Sequence, residues 1–228
     1  MKNVQVKILF LLSVIALGVS GCQSFKPIKA QSKVHKVMLD YQGSAGKIKE
    51  LPDWVSIVDE GGNDLAVQKL SQFKGLYCFT ATTSGKSKDF VKSWTSIEAF
   101  TNVSSVVSAR ISSMEKAERS GSAEDGDTNR NITEELVRNL ESTFSGVRPT
   151  ATYWVQWRQY DPDHKKQVLS EYYTGYTLLT VEKKSFDSQV ATALQRSVDL
   201  QKDVSKEERQ MYTNLIKRIL EKGLELSE

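Results

Sequence analysis

Two runs of aromatic and β-branched residues, at 150–160 and 168–182, limit the folds open to this 228-residue chain. Residues of these classes favour strands, because their side chains pack well on a pleated sheet. The stretch between the runs contains Asp161-Pro162-Asp163, which is typical of a turn. A short connection of this kind joins antiparallel neighbours. We therefore predict a β-hairpin and, with it, an antiparallel sheet.

Side chains on the first strand of this hairpin alternate between two faces. One face carries Tyr153, Val155 and Trp157, and the other carries Trp154, Arg158 and Tyr160. Helices must bury one face of such a sheet, and we expect the first set to form that core face. We interpret the second set as contacts for a partner or a ligand, since aromatic rings beside an arginine can hold a flat group.

Four helices and two further strands complete the expected fold. The predicted helices cover residues 87–118, 131–145, 186–200 and 205–222, and the predicted strands cover 54–58 and 75–82. Asn131 with Glu134, and Ser205 with Glu208, form capping pairs that mark two helix starts. The polar stretch 120–129 predicts a surface loop. The fold class is therefore α+β, with an antiparallel sheet of about four strands packed against helices.

The longest predicted helix has apolar residues at three- and four-residue steps. This spacing predicts one face that packs in the core rather than a ligand site. Its members are Phe90, Trp94, Ile97, Phe100, Val103, Val107, Ile111 and Met114.

The N-terminus has the pattern of an export signal that ends in a cysteine. Two lysines give a positive start, residues 8–19 form the apolar core with Ser13 inside it, and the small residues Ser20 and Gly21 precede Cys22. The apolar run is too short to cross a bilayer, which takes about 20 apolar residues. The order of these features resembles a bacterial lipobox, in which the cysteine is lipidated and becomes the mature N-terminus. A plain signal peptide and an uncleaved anchor are the alternatives.

This pattern divides the chain into three segments. Residues 1–21 are the cleaved signal peptide, 22–49 the lipidated N-terminus with a flexible tether, and 50–228 a single α+β domain with C-terminal helices. A short strand near 34–39 is an alternative within the tether. Without the signal peptide and its two lysines, the chain has 29 basic residues of its 31, against 28 acidic ones. This near balance argues against a nucleic-acid partner.

Lipidation at Cys22 implies a membrane as the first partner of the chain. A lipobox product carries more than one acyl chain, and two or more chains give stable anchoring. Gln23 and Ser24 follow the cysteine, where lipoproteins held at the inner membrane tend to have aspartate. We therefore expect a lipid anchor in the outer membrane, with the domain on its periplasmic or its surface side.

Two stretches resemble a phosphate-binding and a calcium-binding motif, but each lacks residues that the motif requires. Gly85-Lys86-Ser87 resembles the end of a phosphate-binding loop, yet Thr80 stands where that motif has its first glycine. Residues 125–129 resemble the start of a calcium loop, without the later glycine and glutamate. We expect no cofactor and no bound metal.

The remaining reactive residues do not form a catalytic pattern. His35 and His164 have no nucleophile motif near them, and two isolated histidines with one free cysteine make a poor zinc site. If Cys22 is lipidated, Cys78 has no cysteine with which to pair. We expect the Cys78 thiol to be a buried small hydrophobic group. The chain is therefore predicted not to be an enzyme.

Several segments together resemble the Lpp-twenty family of bacterial outer-membrane lipoproteins. Besides the lipobox, they are PDWV at 52–55, GLYCFTA at 75–81, YWVQW at 153–157 and YYTGYTLL at 172–179. The resemblance covers most of residues 51–194 and implies a surface antigen or a flagellar outer-membrane component. It supplies no catalytic residues. The longer C-terminal helix and the 120–129 insertion distinguish this chain from that pattern.

Location and the lack of a catalytic motif together suggest a function. We expect a membrane-anchored, non-catalytic protein that presents a sheet edge or a helix face to another envelope protein or to a second copy of itself. The alternative is a lipoprotein that holds a small lipid or sugar in a pocket between sheet and helices. An assembly protein should co-purify with its partner, whereas a ligand carrier should be monomeric and retain a small molecule.

Overall fold

The computed structural model describes residues 35–44, 50–119, 126–144, 149–164 and 167–226. The predicted signal peptide and Cys22, the predicted lipidation site, lie outside these residues. The described residues form β1 His35–Tyr41, α1 Asp53–Asp59, α2 Asp64–Gln68, β2 Leu76–Gly85, α3 Lys88–Glu118, α4 Gly126–Phe144, β3 Ala151–Tyr160, β4 Val168–Glu182, α5 Lys183–Leu200 and α6 Lys206–Lys222. Four antiparallel strands with six α-helices confirm the predicted α+β class.

The strands form one antiparallel sheet in the order β1-β3-β4-β2. The predicted hairpin supplies the two central strands, with Tyr153 opposite Tyr176. β1 pairs with β3, and β2 pairs with β4. β1 and β2 are therefore edge strands, each with one side that faces no other strand of the described ranges.

The sheet includes residues that we assigned to the tether. Segment 22–49 was predicted to be flexible, with a short strand near 34–39 as the alternative, and the structure contains that strand as β1. His35 at its start lies opposite Tyr160 of β3. The apolar residues of an edge strand stay partly exposed, so its sequence is less apolar than that of a central strand. The folded domain therefore begins earlier than residue 50.

One face of the sheet packs against the short helices α1 and α2. Tyr153, Val155 and Trp157 lie on this face, and each is less than a tenth exposed. Trp54 and Val55 of α1 belong to the same buried cluster. The predicted core face of the hairpin is therefore confirmed.

α1 occupies the segment 54–58, where we predicted a strand, so that prediction was wrong. The apolar residues of this segment are spaced so that they also share one side of a helix. The carbonyl of Pro52 accepts the amides of Val55 and Ser56 at 2.8 and 3.0 Å, which starts the first turn. Proline suits this position because the first amides of a helix have no partner within the helix. A short apolar run cannot by itself distinguish a buried strand from a helix.

Asp59, the last residue of α1, ties this helix to the sheet. Its carboxylate accepts a hydrogen bond from the Tyr176 hydroxyl at 2.7 Å and from the Lys36 ammonium at 2.8 Å. The same ammonium lies 4.2 Å from the ring centroid of Trp157. The start of β1 is therefore held by both a charge pair and a cation–π contact.

The other face of the sheet packs against the long helices. Tyr77 and Phe79 of β2 lie in this core with Phe186 of α5, whose ring centroid is 5.6 Å from each of theirs. α4 joins the same core through the fully buried residues Ile132, Leu136 and Leu140. Helices thus cover both faces of the sheet.

α3 matches its predicted extent, but its buried face is not the predicted one throughout. Its second half buries Val103, Val107, Ile111 and Met114 as expected. In its first three turns, Phe90, Trp94 and Ile97 are 51%, 50% and 56% exposed. That part of the prediction was wrong, because the helix turns Val91, Thr95 and Ala99 inward there.

Gly175 of β4 explains why small residues of α3 face the sheet. A Cβ atom at this position would lie 2.7 Å from the Thr95 hydroxyl oxygen and 2.7 Å from the Val91 carbonyl oxygen. The helix backbone therefore lies directly on the strand backbone. A larger side chain than valine or threonine cannot fit between them, so the aromatic residues of this helix point elsewhere.

α4 begins earlier than predicted. We expected a loop over 120–129 and a helix start at Asn131, but α4 already includes 126–129. Glu134 pairs with Arg130 one turn earlier at 4.0 Å, so it acts inside the helix rather than in a cap. The rest of the predicted loop lies outside the described residues.

α5 and α6 form close to their predicted limits. The Ser205 hydroxyl accepts the Glu208 amide at 3.2 Å, and the Glu208 carboxylate accepts the Ser205 amide at 2.9 Å. This capping box is the one predicted from the sequence. Gly223 ends α6 with a φ of 81°, a conformation that favours glycine. Within the described ranges, none of the helices is both long and apolar enough to span a membrane.

Candidate interaction surfaces

The three predicted contact residues of β3 share one face, as strand alternation requires. Trp154 lies opposite Gly175, and Arg158 lies opposite Glu171 of β4. Gly175 contacts α3, so this is the face that α3 covers. Trp154, Arg158 and Tyr160 are all intermediate in exposure.

Trp154 is packed by its own chain. Its ring lies edge-on to Tyr173, with centroids 6.0 Å apart, and the Lys88 ammonium lies 4.9 Å from its centroid. Lys88 is the first residue of α3, and the helix runs from there toward the opposite end of the sheet. Trp154 therefore marks the point at which α3 begins to cover the sheet, and Arg158 and Tyr160 lie beyond it.

Arg158 already has partners within the chain. Its guanidinium donates to the Glu171 carboxylate at 2.6 and 2.7 Å across the β3–β4 pair. Hydrogen bonds to Tyr160 and Glu171 raise the pKa of Arg158, which stays a cation. Glu171 balances this charge, so Arg158 does not present a free cation to an anionic ligand.

Beyond Trp154, the sheet ends in a partly apolar surface that we call the hairpin-end face. Its apolar members are Val37 and Leu39, each 38% exposed, Val168, 46% exposed, and Leu169, 49% exposed. Its other members are Arg158 and Tyr160. Val37 and Leu39 were not predicted as surface residues because they fall in the predicted tether, although the strand alternative covered both residues.

Strand register brings this face together at one end of the sheet. His35 pairs with Tyr160, and Tyr160 pairs with Val168. The rings of His35 and Tyr160 are 5.9 Å apart. The first residues of β1 and β4 and the last residue of β3 therefore meet at the end where the chain enters the sheet.

A second exposed apolar surface lies on α3, and we call it the α3 ridge. Its members Phe90, Trp94 and Ile97 are three or four residues apart, so they lie on the same side of successive turns. The rings of Phe90 and Trp94 stack, with centroids 5.9 Å apart and planes at 13°. These three residues were predicted to face the core.

The outer edge of β2 is partly open. The Thr80 amide donates to the Asp64 carboxylate at 2.8 Å, and the Thr80 carbonyl accepts from the Asn102 side chain at 3.1 Å. Both backbone groups of Thr80 therefore point away from β4. Every second residue of an antiparallel strand repeats this direction. Thr82 and Ser84 thus direct their amide and carbonyl groups outward as well.

The α3 ridge lies next to this open edge. A Cβ atom at Gly85 would lie 3.3 Å from the Phe90 ring, so the last residue of β2 contacts the first member of the ridge. Thr83 donates to Glu98 farther along the helix, which keeps strand and helix side by side. An open strand edge and an exposed apolar ridge therefore form one continuous surface.

A cavity of about 300 Å³ lies beside β2, between α2, α3 and the C-terminal segment. Its walls are mainly apolar and include Leu65, Phe79, Val106 and Leu226. Asn63, Asp64 and Gln68 supply polar groups to the lining. Burial raises the pKa of Asp64 and of Cys78, which also lines the cavity. A volume of this size suits a small ligand.

The Cys78 thiol is 3% exposed, as expected of a buried small hydrophobic group. Burial, with a smaller effect of the Asp64 charge, raises its pKa to about 11. The thiol is therefore protonated at neutral pH, whereas nucleophilic cysteines act as thiolates. Cys78 contributes volume to the core rather than reactivity.

Two other buried carboxyl groups connect elements of the fold. Asp187 accepts hydrogen bonds from the Tyr77 hydroxyl and the Leu224 amide, both at 3.1 Å. Glu115 of α3 lies beside Tyr212 of α6. Burial is the main cause that raises the pKa of both carboxyl groups.

The two histidines lie apart from these carboxyl groups. His35 packs beside Tyr160, and the Nδ1 atom of His164 lies 3.5 Å from the Asp161 carboxylate in the hairpin turn. In the part of the chain that the structure describes, no three metal-ligating side chains lie close enough to hold an ion.

The described residues thus offer three places for another molecule: the hairpin-end face, the α3 ridge with the open edge of β2, and the cavity beside β2. Comparisons with known protein families, curated proteins and solved structures found no match to this chain.

Proposed function

We propose that this chain is a lipoprotein of the bacterial envelope, anchored in the outer membrane through lipid on Cys22, and that it binds another envelope protein without catalysing a reaction. The lipobox pattern and the resemblance to the Lpp-twenty lipoproteins support the anchor. The α3 ridge beside the open edge of β2 supports the binding role, and it is the observation on which the proposal depends most.

The ridge is large enough to contribute to binding. Its three side chains are each about half exposed, which leaves roughly 300 Å² of apolar surface in water. Burying that area yields on the order of 7 kcal/mol at about 25 cal/mol per Å², before the costs of association. The sheet cannot cover the ridge, because Gly175 brings the opposite side of α3 onto the sheet.

The open edge of β2 suggests how a partner binds. An extended segment that adds to a sheet edge gains main-chain hydrogen bonds, and its alternate side chains give specificity. Thr82 and Ser84 supply the donors and acceptors for such a segment. Its side chains on one face would then contact Phe90 and Trp94.

Charge near the ridge favours a different protein over a second copy. Lys86 and Lys88 lie at the start of α3, against one acidic residue in its first turn, Asp89. A symmetric pairing of two copies would bring these like charges together, whereas a partner segment with acidic residues would complement them.

Photo-cross-linking in living cells tests this role. We expect Trp94→p-benzoylphenylalanine to form one covalent product with a distinct envelope protein. The control is the same substitution at Lys92, which lies on the opposite side of the helix and should give no such product. A product of twice the chain mass would indicate self-association, and the absence of any product at position 94 would contradict the binding role.

A second candidate function rests on the cavity beside β2. An apolar cavity of about 300 Å³ with one carboxyl group fits a small apolar molecule that carries a hydrogen-bond donor. Native mass spectrometry of protein purified from membranes tests this alternative. It predicts a monomer that retains a small molecule, and a Val106→Trp variant, whose side chain fills the cavity, that does not. Recovery of an empty monomer would refute it.

A further inference from the structure

We propose that the hairpin-end face rests against the phospholipid bilayer that holds the anchor. This proposal depends on the lipidated Cys22 of the proposed function. It adds a second, non-covalent contact with the membrane and gives the domain one orientation relative to it.

The length of the chain before β1 limits where the membrane can be. Twelve residues separate Cys22 from His35, and even fully extended they reach at most about 45 Å. His35 pairs with Tyr160 at the hairpin end. The 15 residues of β4 place the other end of the sheet about 50 Å away. The hairpin end is therefore the end of the sheet that the anchor holds near the bilayer.

The exposed side chains at this end suit a lipid surface. Val37, Leu39, Val168 and Leu169 are aliphatic and 38–49% exposed. Tyr160 lies among them, and tyrosine is enriched at the level of lipid headgroups. Aliphatic groups with an aromatic residue at the rim are typical of proteins that bind at the membrane interface.

Two basic residues at this end are paired within the chain, and the hairpin turn at 161–164 adds two acidic residues. Arg158 is paired with Glu171 at 2.6 Å, and Lys36 is paired with Asp59 at 2.8 Å. Neither pair brings an uncompensated charge to the lipid. The free edge of β1 still presents backbone groups that need water or headgroup oxygens. The contact must therefore lie in the headgroup region rather than in the hydrocarbon core.

Fluorescence quenching on vesicles tests the contact. Full-length lipidated protein carries an NBD label on Leu169→Cys, and vesicles of phosphatidylethanolamine with a minority of phosphatidylglycerol contain a nitroxide lipid. The matched control carries the label on Lys184→Cys, an exposed residue at the opposite end of the sheet. Cys78 is buried and should not be labelled.

We expect the NBD fluorescence at position 169 to shift to the blue and to lose most of its intensity, because the nitroxide lipid quenches it. At position 184, we expect neither change. Adding Val168→Asp to the Leu169→Cys protein should restore the emission while circular dichroism stays unchanged. Equal emission at both positions, in protein that floats with the vesicles, would overturn the proposal and leave the anchor intact. Protein that does not float would refute the anchor and this proposal together.

Discussion

Replacing Gly175 by alanine tests the contact that sets the orientation of α3. The added Cβ would lie 2.7 Å from the Val91 carbonyl oxygen, so the helix must move away from the sheet. Overpacking of this kind lowers the free energy of unfolding by about 1–3 kcal/mol. Alanine also raises it by about 0.4–1 kcal/mol, because alanine restricts the unfolded chain more than glycine does. The φ of Gly175 is not positive, so no backbone strain adds to this cost. We expect a net loss of about 1–2 kcal/mol in the free energy of unfolding.

Urea unfolding followed by circular dichroism measures this loss as a lower midpoint with an unchanged slope. In a chain of this size, the same change lowers Tm by about 2–4 °C per kcal/mol. Gly75→Ala is the matched control, because no atom lies within 4 Å of its added Cβ. The φ of Gly75 is 82°, so any loss of stability in this variant comes from the backbone conformation and not from a clash. If Gly175→Ala unfolds at the wild-type midpoint, α3 does not touch the β4 backbone, and our reason for the exposure of the ridge is wrong.

Three further predictions concern buried and capping groups. Burial raises the pKa of Glu115 above 4.5, so its contribution to stability is complete below that pH and is lost as pH rises through the raised pKa. Urea midpoints at several pH values should therefore fall more with rising pH in wild type than in Glu115→Gln, and parallel curves would refute this. Ser205→Ala removes one bond of the capping box and should cost about 1 kcal/mol by the same assay; an unchanged midpoint would mean that the box contributes nothing. At pH 8, in Cys22→Ala protein, a thiol reagent should modify Cys78 far more slowly in the native state than in urea, whereas equal rates would contradict its burial.

The hairpin and the C-terminal helices could be predicted because several local signals agree there. β4 has the predicted limits, and Ser205 and Glu208 form the predicted capping box. In each case, residue type, periodicity and the flanking turn or cap point to the same structure. Such agreement is what makes local prediction reliable.

The first turns of α3 could not be predicted from periodicity alone. Phe90, Trp94 and Ile97 form the more apolar stripe, yet the helix buries Val91, Thr95 and Ala99. The choice depends on Gly175, which comes some eighty residues later and provides the space. A hydrophobic pattern indicates that a helix has an apolar side, but not which neighbour will cover it.

β1 and α1 show a second limit of local patterns. The residues of β1 are half exposed at the sheet edge, so their alternation is weak. The segment 54–58 is apolar enough for either a strand or a helix, and its choice depends on the sheet face that it covers. Val37 and Leu39 of the hairpin-end face could therefore be assigned to a surface only once β1 was placed in the sheet.

The strand order also determines when this protein can fold. Both edge strands come early in the chain and pair with strands that come late: His35 pairs with Tyr160, and Gly85 pairs with Tyr173. A sheet built from such distant pairs forms slowly, because long loops must close before any pairing is gained. An N-terminal fragment that ends before β3 has no strand with which β1 or β2 can pair. Under the export that we propose, the chain must therefore remain unfolded until the hairpin emerges, and it needs protection from aggregation during that time.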